Sequence, residues 1–571
     1  MHSTTSRRTF VKGLAAGGLL GGLGLWRPPV WALSNPGHPT VLTGSEFDLF
    51  IDQTPVNLSG QQRTALTING SLPGPLLRWR EGDTVTLRVK NRLNEPTSIH
   101  WHGILLPSTM DGVPGLSFEG IEPGGVYVYQ FKVKQHGTYW YHSHSGFQEQ
   151  QGVYGPLVID PREPEPFSYQ RDYVVMLSDW TDEDPVALMK TLKKQSDYYN
   201  RHKPTVGDFI SDAGKHGWSA TVADRLMWAR MKMNPTDLAD VSGETYTYLL
   251  NGQPPGRNWT GLFEAGERIR LRFINGSAMT YFDVRIPGLK MTVIAADGQP
   301  VQPVSVDEFR IAVAETFDVL VEPTAAAYTL FAQSMDRTGY ARGTLARQAG
   351  AVASVPALDA RPWITMDDMG MGGMDHGAMG DMPDMEGMDH SAMGSMSMQS
   401  HPASEQDNPL VDMQAMSPMP KLDDPGVGLR NNGRRVLAYA DLRSTFEDPD
   451  GRDPSRTIEL HLTGHMEKFA WSFNGVKFSA AEPLQLTYGE RVRLVLVNDT
   501  MMSHPIHLHG LWSDLEDENG QFQVRKHTID MPPGTRRSYR VTADALGRWA
   551  YHCHLLYHME MGMFREVRVH E

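Results

Sequence analysis

The amino-acid sequence predicts an all-β protein built from three Greek-key sandwich domains. Short runs of alternating apolar and polar residues recur along the chain, bounded by glycine, proline, asparagine or aspartate, as is typical of half-buried strands. Four clear runs are Thr84–Val89, Val126–Phe131, Arg268–Phe273 and Arg491–Val497. Short strands separated by frequent turns favour sandwiches.

One sequence pattern occurs three times and predicts three related domains. In each copy a glycine followed by an acidic residue precedes a strand that ends in asparagine. The copies run from Gly82 to Asn91, from Gly266 to Asn275 and from Gly489 to Asn498. They lie more than 180 residues apart, so they mark domain repeats and not the short units of a solenoid. We expect the domains at residues 45–165, 166–350 and 430–571.

Residues 1–32 predict an export signal that is removed from the mature protein. Arg7 and Arg8 form a twin-arginine pattern, the run from Gly13 to Leu25 is apolar, and a cleavage site is expected near Ala32. The apolar run is too short to span a bilayer, which favours a signal over a basic tail before an anchoring helix. The twin-arginine export machinery is then a partner, and the periplasm is the expected location. No long apolar run follows residue 33, so we expect no membrane span in the mature chain.

Charge and cysteine content exclude two classes of protein. The chain of 571 residues has a formal net charge of -14 at pH 7, and nucleic-acid binding requires a basic face, so we expect no nucleic-acid partner. An acidic surface is compatible with small cations. The single cysteine, Cys553, excludes a disulfide framework.

A segment rich in methionine and histidine separates the second and third domains, and we place it at residues 361–425. Between Met366 and Met419 it contains 14 of the 31 methionines, with a near-duplicate Met-Asp-His-x-Ala-Met-Gly at 374–380 and 388–394. Its glycine, serine, aspartate and proline content cannot bury a core, so we expect a disordered insert in the absence of ligand. Thioethers favour Cu(I), which predicts extra Cu(I) on this segment; a flexible linker is the alternative.

Ten of the 22 histidines fall into four short clusters. The clusters are His100-Trp101-His102, His142-Ser143-His144, His504-Pro505-Ile506-His507-Leu508-His509, and His552-Cys553-His554 with His558 and Met563. Imidazole, thiolate and thioether are the ligands of a blue copper site, in which methionine is the weak axial ligand. A lone cysteine is more often a small buried hydrophobe, but that role does not explain the histidines and methionine at these spacings.

Strand geometry sorts these residues into two sets. Side chains two positions apart on a strand face the same side, so each His-x-His pair aims two imidazoles at one point. Cys553 and His504 have the opposite parity, and His558 and Met563 can join them after the strand ends. The pairs come from the first and third domains, so we expect their site at the domain interface. Eight imidazoles are enough for three copper ions: His100, His102, His142, His144, His507, His509, His552 and His554.

The two predicted sites are connected through the covalent chain. Cys553 binds one copper through sulfur in this interpretation, and its neighbours His552 and His554 bind the other site. A one-electron acceptor is thereby joined to a site that can accumulate four electrons. Reduction of O2 to two waters requires this number of electrons.

At these residues the chain resembles the multicopper oxidases, whose four copper-binding segments occur in the same order. The resemblance implies three cupredoxin-like domains, four copper ions and O2 as the electron acceptor. It implies that His504, Cys553, His558 and the axial Met563 are the type 1 ligands, and that His100 and His507 are the type 2 pair. The implied type 3 ligands are His102, His142, His144, His509, His552 and His554.

Further features are similar to the bacterial copper-resistance protein A group within this family. They are the twin-arginine signal, the Met/His-rich insert and the run from Leu226 to Asp237. The resemblance implies oxidation of Cu(I) to Cu(II) at the type 1 copper. Two alternatives stay open: a periplasmic protein that sequesters copper through the Met-rich segment, and a laccase-like oxidase that takes electrons from phenolic donors.

In related enzymes, two acidic groups supply protons to the trinuclear copper site. Asp111 matches one of them, and an Asp-Gly turn with Gly112 is the structural alternative. The second is a glutamate directly after the type 1 histidine in related cuprous oxidases, and here that residue is Met559. Glu560 follows one residue later, so Asp111 and Glu560 are the candidate catalytic acids, together with Cys553 as the electron path.

Overall fold

The structure is a computed structural model that describes residues 40–371 and 399–571. The predicted export signal and the central part of the Met-rich segment lie outside the described residues. Within them the chain forms six β-sheets, which pair into three sandwiches, so the predicted all-β class is confirmed. No helix in these two ranges is both long and apolar enough to cross a membrane.

The first sandwich contains nine strands. They are β1 (Val41–Thr43), β2 (Glu46–Asn57), β3 (Gln62–Ile68), β4 (Leu76–Arg80), β5 (Thr84–Asn91), β6 (His100–His102), β7 (Val126–Lys132), β8 (Gly137–His142) and β9 (Tyr154–Asp160). The two sheets have the orders β1-β4-β9-β8-β6 and β3-β2-β5-β7. The predicted runs at 84–89 and 126–131 lie in β5 and β7, which pair antiparallel.

The second sandwich contains eleven strands. They are β10 (Arg171–Thr181), β11 (Tyr246–Leu250), β12 (Trp259–Leu262), β13 (Ile269–Asn275), β14 (Phe282–Arg285), β15 (Met291–Ala296), β16 (Gln299–Val306), β17 (Glu308–Ile311), β18 (Thr316–Val321), β19 (Ala327–Ser334) and β20 (Tyr340–Ala346). Their orders are β11-β10-β13-β18-β15-β16 and β12-β20-β19-β14-β17. The predicted run at 268–273 corresponds to β13.

The third sandwich also contains eleven strands. They are β21 (Arg456–His465), β22 (Ala470–Phe473), β23 (Leu484–Thr487), β24 (Arg491–Asn498), β25 (His504–Leu508), β26 (Ser513–Glu516), β27 (Phe522–Lys526), β28 (Thr528–Met531), β29 (Arg536–Thr542), β30 (Gly547–Cys553) and β31 (Phe564–His570). The orders β22-β21-β24-β29-β26-β27 and β23-β31-β30-β25-β28 match those of the second sandwich strand for strand.

The repeated asparagine has the same structural role in all three domains. Each one is fully buried at the end of its strand, and its Nδ2 donates to two backbone carbonyls. The acceptors are Glu95 and Ile121 for Asn91, Thr280 and Ile311 for Asn275, and Met502 and Met531 for Asn498. The side chain thus satisfies two backbone carbonyls near the end of its strand, and this shared role accounts for the repeated asparagine.

Helices occur in two places in the described part of the chain. α1 (Pro185–Lys194), α2 (Val206–His216) and α3 (Trp218–Met231) lie between β10 and β11, and the short α4 (Leu556–Glu560) follows β30. Asp184 accepts a hydrogen bond from the Ala187 N–H at the start of α1, and Thr205 forms a capping box with Asp208 at the start of α2. The predictions from the sequence include no helix here, although Asp184 and Thr205 mark the starts of α1 and α2.

The described flanks of the Met-rich segment pack as irregular chain. Met369, Met413 and Leu422 are buried, and Met419 forms a bridge with Thr535 of the third domain. The ends of the segment are therefore fixed on the sandwiches on both sides of residues 372–398.

Candidate metal centre

Eight imidazoles meet between the first and third domains. His100 lies opposite His142 in the pairing of β6 with β8, and His507 lies opposite His552 in the pairing of β25 with β30. We call the whole set the histidine cluster, and its members are His100, His102, His142, His144, His507, His509, His552 and His554. Three groups of three have ligand nitrogens within 4.8 Å of one another: His100, His102 and His507; His102, His142 and His554; and His144, His509 and His552.

Hydrogen bonds leave particular ring nitrogens facing the centre of the cluster. His100 Nδ1 donates to the Asp111 carbonyl (2.8 Å), and His507 Nδ1 donates to the His527 carbonyl (2.5 Å). The Nε2 atoms of both rings are buried and have no hydrogen-bond partner, and the same is true of His142 Nε2. Because buried polar atoms are normally paired, these lone pairs fit a bound cation.

Three further nitrogens point at one another. His509 Nδ1 donates to Asp111 Oδ2 (2.8 Å) and His552 Nδ1 donates to the Cys553 carbonyl (2.9 Å), so both Nε2 atoms carry lone pairs. These two Nε2 atoms are 3.0 Å apart, and His144 Nε2 is 3.4 Å from His552 Nε2. Facing lone pairs repel unless a cation lies between them, so the donor set fits a metal ion.

Burial keeps these imidazoles neutral. The pKa of His552 is lowered to about 3, chiefly because burial disfavours the charged ring. Burial likewise holds the pKa values of six others well below the usual range, with repulsion from neighbouring histidines adding to it: His102, His142, His144, His507, His509 and His554. Neutral imidazole is the form that binds a metal ion.

Asp111 links an imidazole of each domain. It is buried, its Oδ2 accepts from His509 Nδ1, and its carbonyl accepts from His100 Nδ1. The Asp-Gly turn is also present: Gly112 has a φ of 79°, and a Cβ there would lie 1.9 Å from the Ile99 carbonyl oxygen. The turn therefore brings the carboxylate to the cluster, where it orients two rings.

The structure does not bring Glu560 to the histidine cluster. Glu560 is exposed at the end of α4, and in the described ranges it forms no hydrogen bond or ion pair with a histidine. A different carboxylate, which sequence analysis missed, is in contact: Glu149 Oε2 is 2.6 Å from His142 Nδ1. Burial and the nearby Asp179 raise the pKa of Glu149 well above its usual range. Glu149 lies in the loop between Gly146 and Gly152, and no motif in the sequence predicts its contact with His142.

A second group forms around the single cysteine, and we call it the thiol site. Cys553 Sγ is 3.5 Å from His504 Nδ1 and 3.8 Å from His558 Nδ1, and the two nitrogens are 3.1 Å apart. All three side chains are fully buried. Met563 is also fully buried, and its carbonyl accepts a hydrogen bond from the Cys553 N–H (3.1 Å).

The outer ring nitrogens of the thiol site are held by residues that sequence analysis missed. His504 Nε2 lies 2.7 Å from Thr500 Oγ1, and His558 Nε2 lies 2.8 Å from Asp240 Oδ2. Trp471 stacks on the His558 ring with 3.9 Å between centroids. These contacts leave both Nδ1 atoms directed at the sulfur. Asp240 belongs to the second domain, 318 residues before His558, so only the tertiary fold brings the two together.

The two sites face opposite sides of one strand pair. Ile506 lies opposite Cys553, and His507 lies opposite His552. Directly opposed residues point to the same face of a sheet, so Cys553 shares a face with His504, while His552 shares a face with His507. This register agrees with the parity argument from the sequence.

Comparisons with known proteins agree with this geometry. Sequence profiles of multicopper oxidases match residues 51–164, 171–350 and 451–571. The chain belongs to the multicopper oxidase family. It is therefore an oxidase with copper cofactors.

The similar proteins include two copper-resistance proteins. The chain is 74% identical to copper resistance protein A of Pseudomonas syringae pv. tomato over 100% of both chains. It is 70% identical to copper resistance protein A of Escherichia coli over 99% of both. Among solved structures, Fet3p, a multicopper oxidase that functions in iron import, superposes with a TM-score of 0.65 at 18% identity, covering 92% of this chain and 90% of the other. This last likeness concerns the fold.

Proposed function

We propose that this protein is a copper-resistance oxidase that converts Cu(I) to Cu(II) and reduces O2 to water. Four Cu(I) ions, one O2 and four protons give four Cu(II) ions and two waters. The observation that carries the proposal is the run His552-Cys553-His554, within which β30 ends. Its cysteine lies in the thiol site and its two histidines lie in the histidine cluster. The two similar copper-resistance proteins supply the biological context.

We assign the ligands as the sequence predicts. His504, Cys553, His558 and Met563 hold a type 1 copper, and His100 with His507 holds a type 2 copper. The type 3 pair is held by the remaining members of the histidine cluster: His102, His142, His144, His509, His552 and His554. Bound copper supplies one-electron transfer at the thiol site and four-electron reduction of O2 at the cluster. The converging unpaired nitrogens support this count of four ions.

The side of His558 nearest the second domain is suited to a soft cation. Asp240 Oδ2 bonds the ring, while Asp240 Oδ1 and Asp237 Oδ1 are buried without hydrogen-bond partners. Asp237 also lines a surface cavity of about 540 Å³ to which Met233, Met466 and Met501 contribute. Thioethers favour Cu(I), and a carboxylate pair favours a cation over a neutral phenol. We propose that Cu(I) binds here and passes its electron through Asp240 and His558.

Asp111 is the group that we propose for orienting the cluster during O2 reduction. Its carboxylate holds His509 and its carbonyl holds His100, so the two rings stay in the tautomer that directs Nε2 inward. Asp111 Oδ1 lies 3.3 Å from His100 Nδ1, so the carboxylate is beside both rings on the side away from their Nε2 atoms. Glu560 is not part of this proposal, since it is exposed.

We also propose the domain boundaries 45–165, 166–350 and 430–571 and export to the periplasm through the twin-arginine machinery. The strands from β2 to β9, from β10 to β20 and from β21 to β31 lie inside these boundaries, although β1 begins earlier, at Val41. Export rests on Arg7 and Arg8 in the sequence. Replacing both by lysine should leave the protein in the cytoplasmic fraction.

The principal test is O2 uptake by the copper-loaded protein when Cu(I) is added. We expect about one O2 consumed for every four Cu(I) ions oxidised, by the stoichiometry above. A protein that holds four copper ions and consumes no O2 would contradict the proposal. A phenolic donor in place of Cu(I) measures the laccase-like alternative in the same assay.

A methionine substitution tests the Cu(I) entrance. Met466→Leu removes a thioether from the cavity and nearly preserves volume, so the fold should tolerate it. We expect a several-fold higher KM for Cu(I) and unchanged kinetics with an organic one-electron donor. Met176→Leu, in the buried core of the second domain, is the matched control and should change neither. Equal effects on both donors would place the cavity outside the route of Cu(I).

The Met-rich segment supports a second role in binding Cu(I). Replacing the methionines of residues 374–398 by leucine should lower the number of Cu(I) ions bound and leave turnover of the organic donor intact. If Cu(I) binding does not change, the segment is a linker.

A further inference from the structure

A third cluster of histidine and carboxylate side chains lies between the third domain and the chain that precedes it, and it shares no residue with the histidine cluster or the thiol site. It consists of His401, Glu405, His461 and Asp499, and we call it the N2O2 cluster. His401 and Glu405 come from the chain that follows residues 372–398, while His461 lies on β21 and Asp499 directly follows β24. We propose that the N2O2 cluster binds one divalent transition-metal ion, Zn(II) or Cu(II). This proposal does not depend on the oxidase function.

The distances suit a single ion. One ligand atom of each residue lies within 4.8 Å of all the others. His461 Nδ1 is 2.6 Å from Asp499 Oδ2, His401 Nδ1 is 3.3 Å from the same oxygen, and Glu405 Oε1 is 3.7 Å from His461 Nδ1. Tetrahedral zinc with nitrogen and oxygen ligands places neighbouring ligand atoms about 3.4 Å apart. Only small movements are then needed to enclose an ion.

Unpaired buried atoms point independently to a ligand. Glu405 is 3% exposed, yet its Oε1 has no hydrogen-bond partner. His401 Nδ1 is buried and also unpaired, because its contacts with the two carboxylates lack hydrogen-bond geometry. Atoms of this kind are nearly always satisfied by a partner in native proteins. A cation between them would satisfy both.

Surrounding contacts hold the remaining atoms and direct the ligand atoms inward. His401 Nε2 lies 3.2 Å from the Ala415 carbonyl, and His461 Nε2 lies 3.3 Å from Glu459 Oε1. His401 Nε2 therefore carries the proton, which leaves its Nδ1 as the ligand atom. His461 Nδ1 donates to Asp499 Oδ2 (2.6 Å) and would release that proton on binding an ion. On the carboxylates, Asp499 Oδ1 accepts from the Ala415 N–H (2.7 Å) and Glu405 Oε2 accepts from Gln414 Nε2 (3.0 Å). Such outer contacts are typical of protein metal sites.

The donor chemistry selects the class of ion. Two imidazoles and two carboxylates contain no sulfur, so the cluster does not favour Cu(I) and differs from the Met-rich segment in this respect. Zn(II) is commonly bound by such a set, and Cu(II) has the higher affinity for nitrogen and oxygen ligands in general. Two carboxylates balance the charge of a divalent ion, which makes the buried site neutral. The bound ion would fasten the end of the Met-rich segment to β21 and β24.

Metal analysis of the full-length, copper-loaded protein tests the proposal. Zn2+ is added in increments, unbound metal is removed by gel filtration, and zinc and copper are counted. We expect His401→Gln and Glu405→Gln each to lose one zinc equivalent relative to the unsubstituted protein. His465→Gln, on the same strand as His461, and His376→Gln, in the Met-rich segment, should lose none from this cluster. The same titration with Cu2+ identifies which ion is held more tightly.

Equal zinc counts together with equal copper counts in the unsubstituted protein and both site variants would overturn the proposal. The cluster would then be an ion-pair network of protonated histidines and carboxylates. The copper count and the blue absorption of each variant report whether it has folded, separately from zinc binding. If the variants do not fold, anomalous diffraction at the zinc edge from the unsubstituted protein gives the answer. A peak between His461 and Asp499 supports the site, and no peak there contradicts it.

Discussion

The second and third domains have the same strand order, but only the third contributes residues to the histidine cluster and the thiol site. Phe282 and His504 occupy equivalent positions, because they lie opposite Ile311 and Met531 on matching strands. Ala332, opposite Val284, corresponds to Cys553, opposite Ile506. Likewise Arg285 stands where the third domain has His507, and it pairs with the buried Glu308 at 3.0 Å.

This difference between the second and third domains shows that the sandwich forms without the histidine and cysteine side chains of the two sites. Both domains keep the same sheets and the same asparagine contacts, while the equivalent positions carry apolar and ion-pair residues in the second domain and the histidines and cysteine of the two sites in the third. The second domain contributes instead from outside, through Asp240 on His558 and Asp297, which accepts from the His527 and Thr528 N–H groups. The second domain therefore positions residues of the two sites without contributing to either set of side chains.

Loss of the cysteine should have the largest effect, and it would most directly distinguish the roles of the second and third domains. We expect Cys553→Ser to reduce turnover to background, because the electron path to the histidine cluster is cut, while copper in the cluster is retained. Oxygen uptake, blue absorption and copper count are the measurements. Ala332→Ser, the equivalent change in the second domain, is the control and should leave all three unchanged. Persistent turnover in Cys553→Ser would overturn the proposed electron path.

Asp111→Asn should have the next largest effect. The substitution keeps the size of the side chain but removes the carboxylate that holds His509 Nδ1. Substitutions of groups that orient metal ligands typically cost 10–100-fold in activity or metal affinity, so we expect turnover to fall by about that factor. The blue absorption at Cys553 should persist, since the Asp111 carboxylate contacts His509 and His100 and not the thiol site. If turnover does not change, the role of Asp111 is limited to forming the Asp-Gly turn.

The buried asparagines test whether the two sandwiches are held together alike. Asn275→Ala and Asn498→Ala each leave two carbonyls without their donor, so each should lower the free energy of unfolding by about 2–4 kcal/mol. Thermal and denaturant unfolding measure this. Only Asn498→Ala should also shift the blue absorption, because Asn498 Oδ1 accepts from the Thr500 N–H and Thr500 contacts His504. A large difference in stability would argue against equivalent roles.

The smallest effect is expected from a cysteine placed in the second domain. Ala332→Cys puts a thiol at the position equivalent to Cys553, but Phe282 stands where His504 would be needed. We expect no additional copper and turnover within about twofold of normal, with a packing cost of about 1–3 kcal/mol for the larger buried side chain. A fifth copper in the metal count would show that the second domain can bind copper with fewer ligands than we infer to be necessary.

Several elements of this protein could be predicted because their signals are local in sequence. The runs that became β5, β7, β13 and β24 alternate with the period of a strand, and the His-x-His pairs inherit their common face from the same period. The helices α1 to α3 are not predicted, even though Asp184 and Thr205 mark the starts of α1 and α2, because strand signals recur throughout the sequence around them.

By itself, the sequence determined the fold class, the three domain repeats and the residue types of the histidine cluster and the thiol site. Local periodicity and residue chemistry are sufficient for these. Tertiary structure alone decided which groups surround the ligands: Asp240 reaches His558 from another domain, Glu149 and not Glu560 reaches the cluster, and His401 meets Asp499. Such contacts depend on how loops pack against the sheets, and no spacing rule in the sequence predicts them.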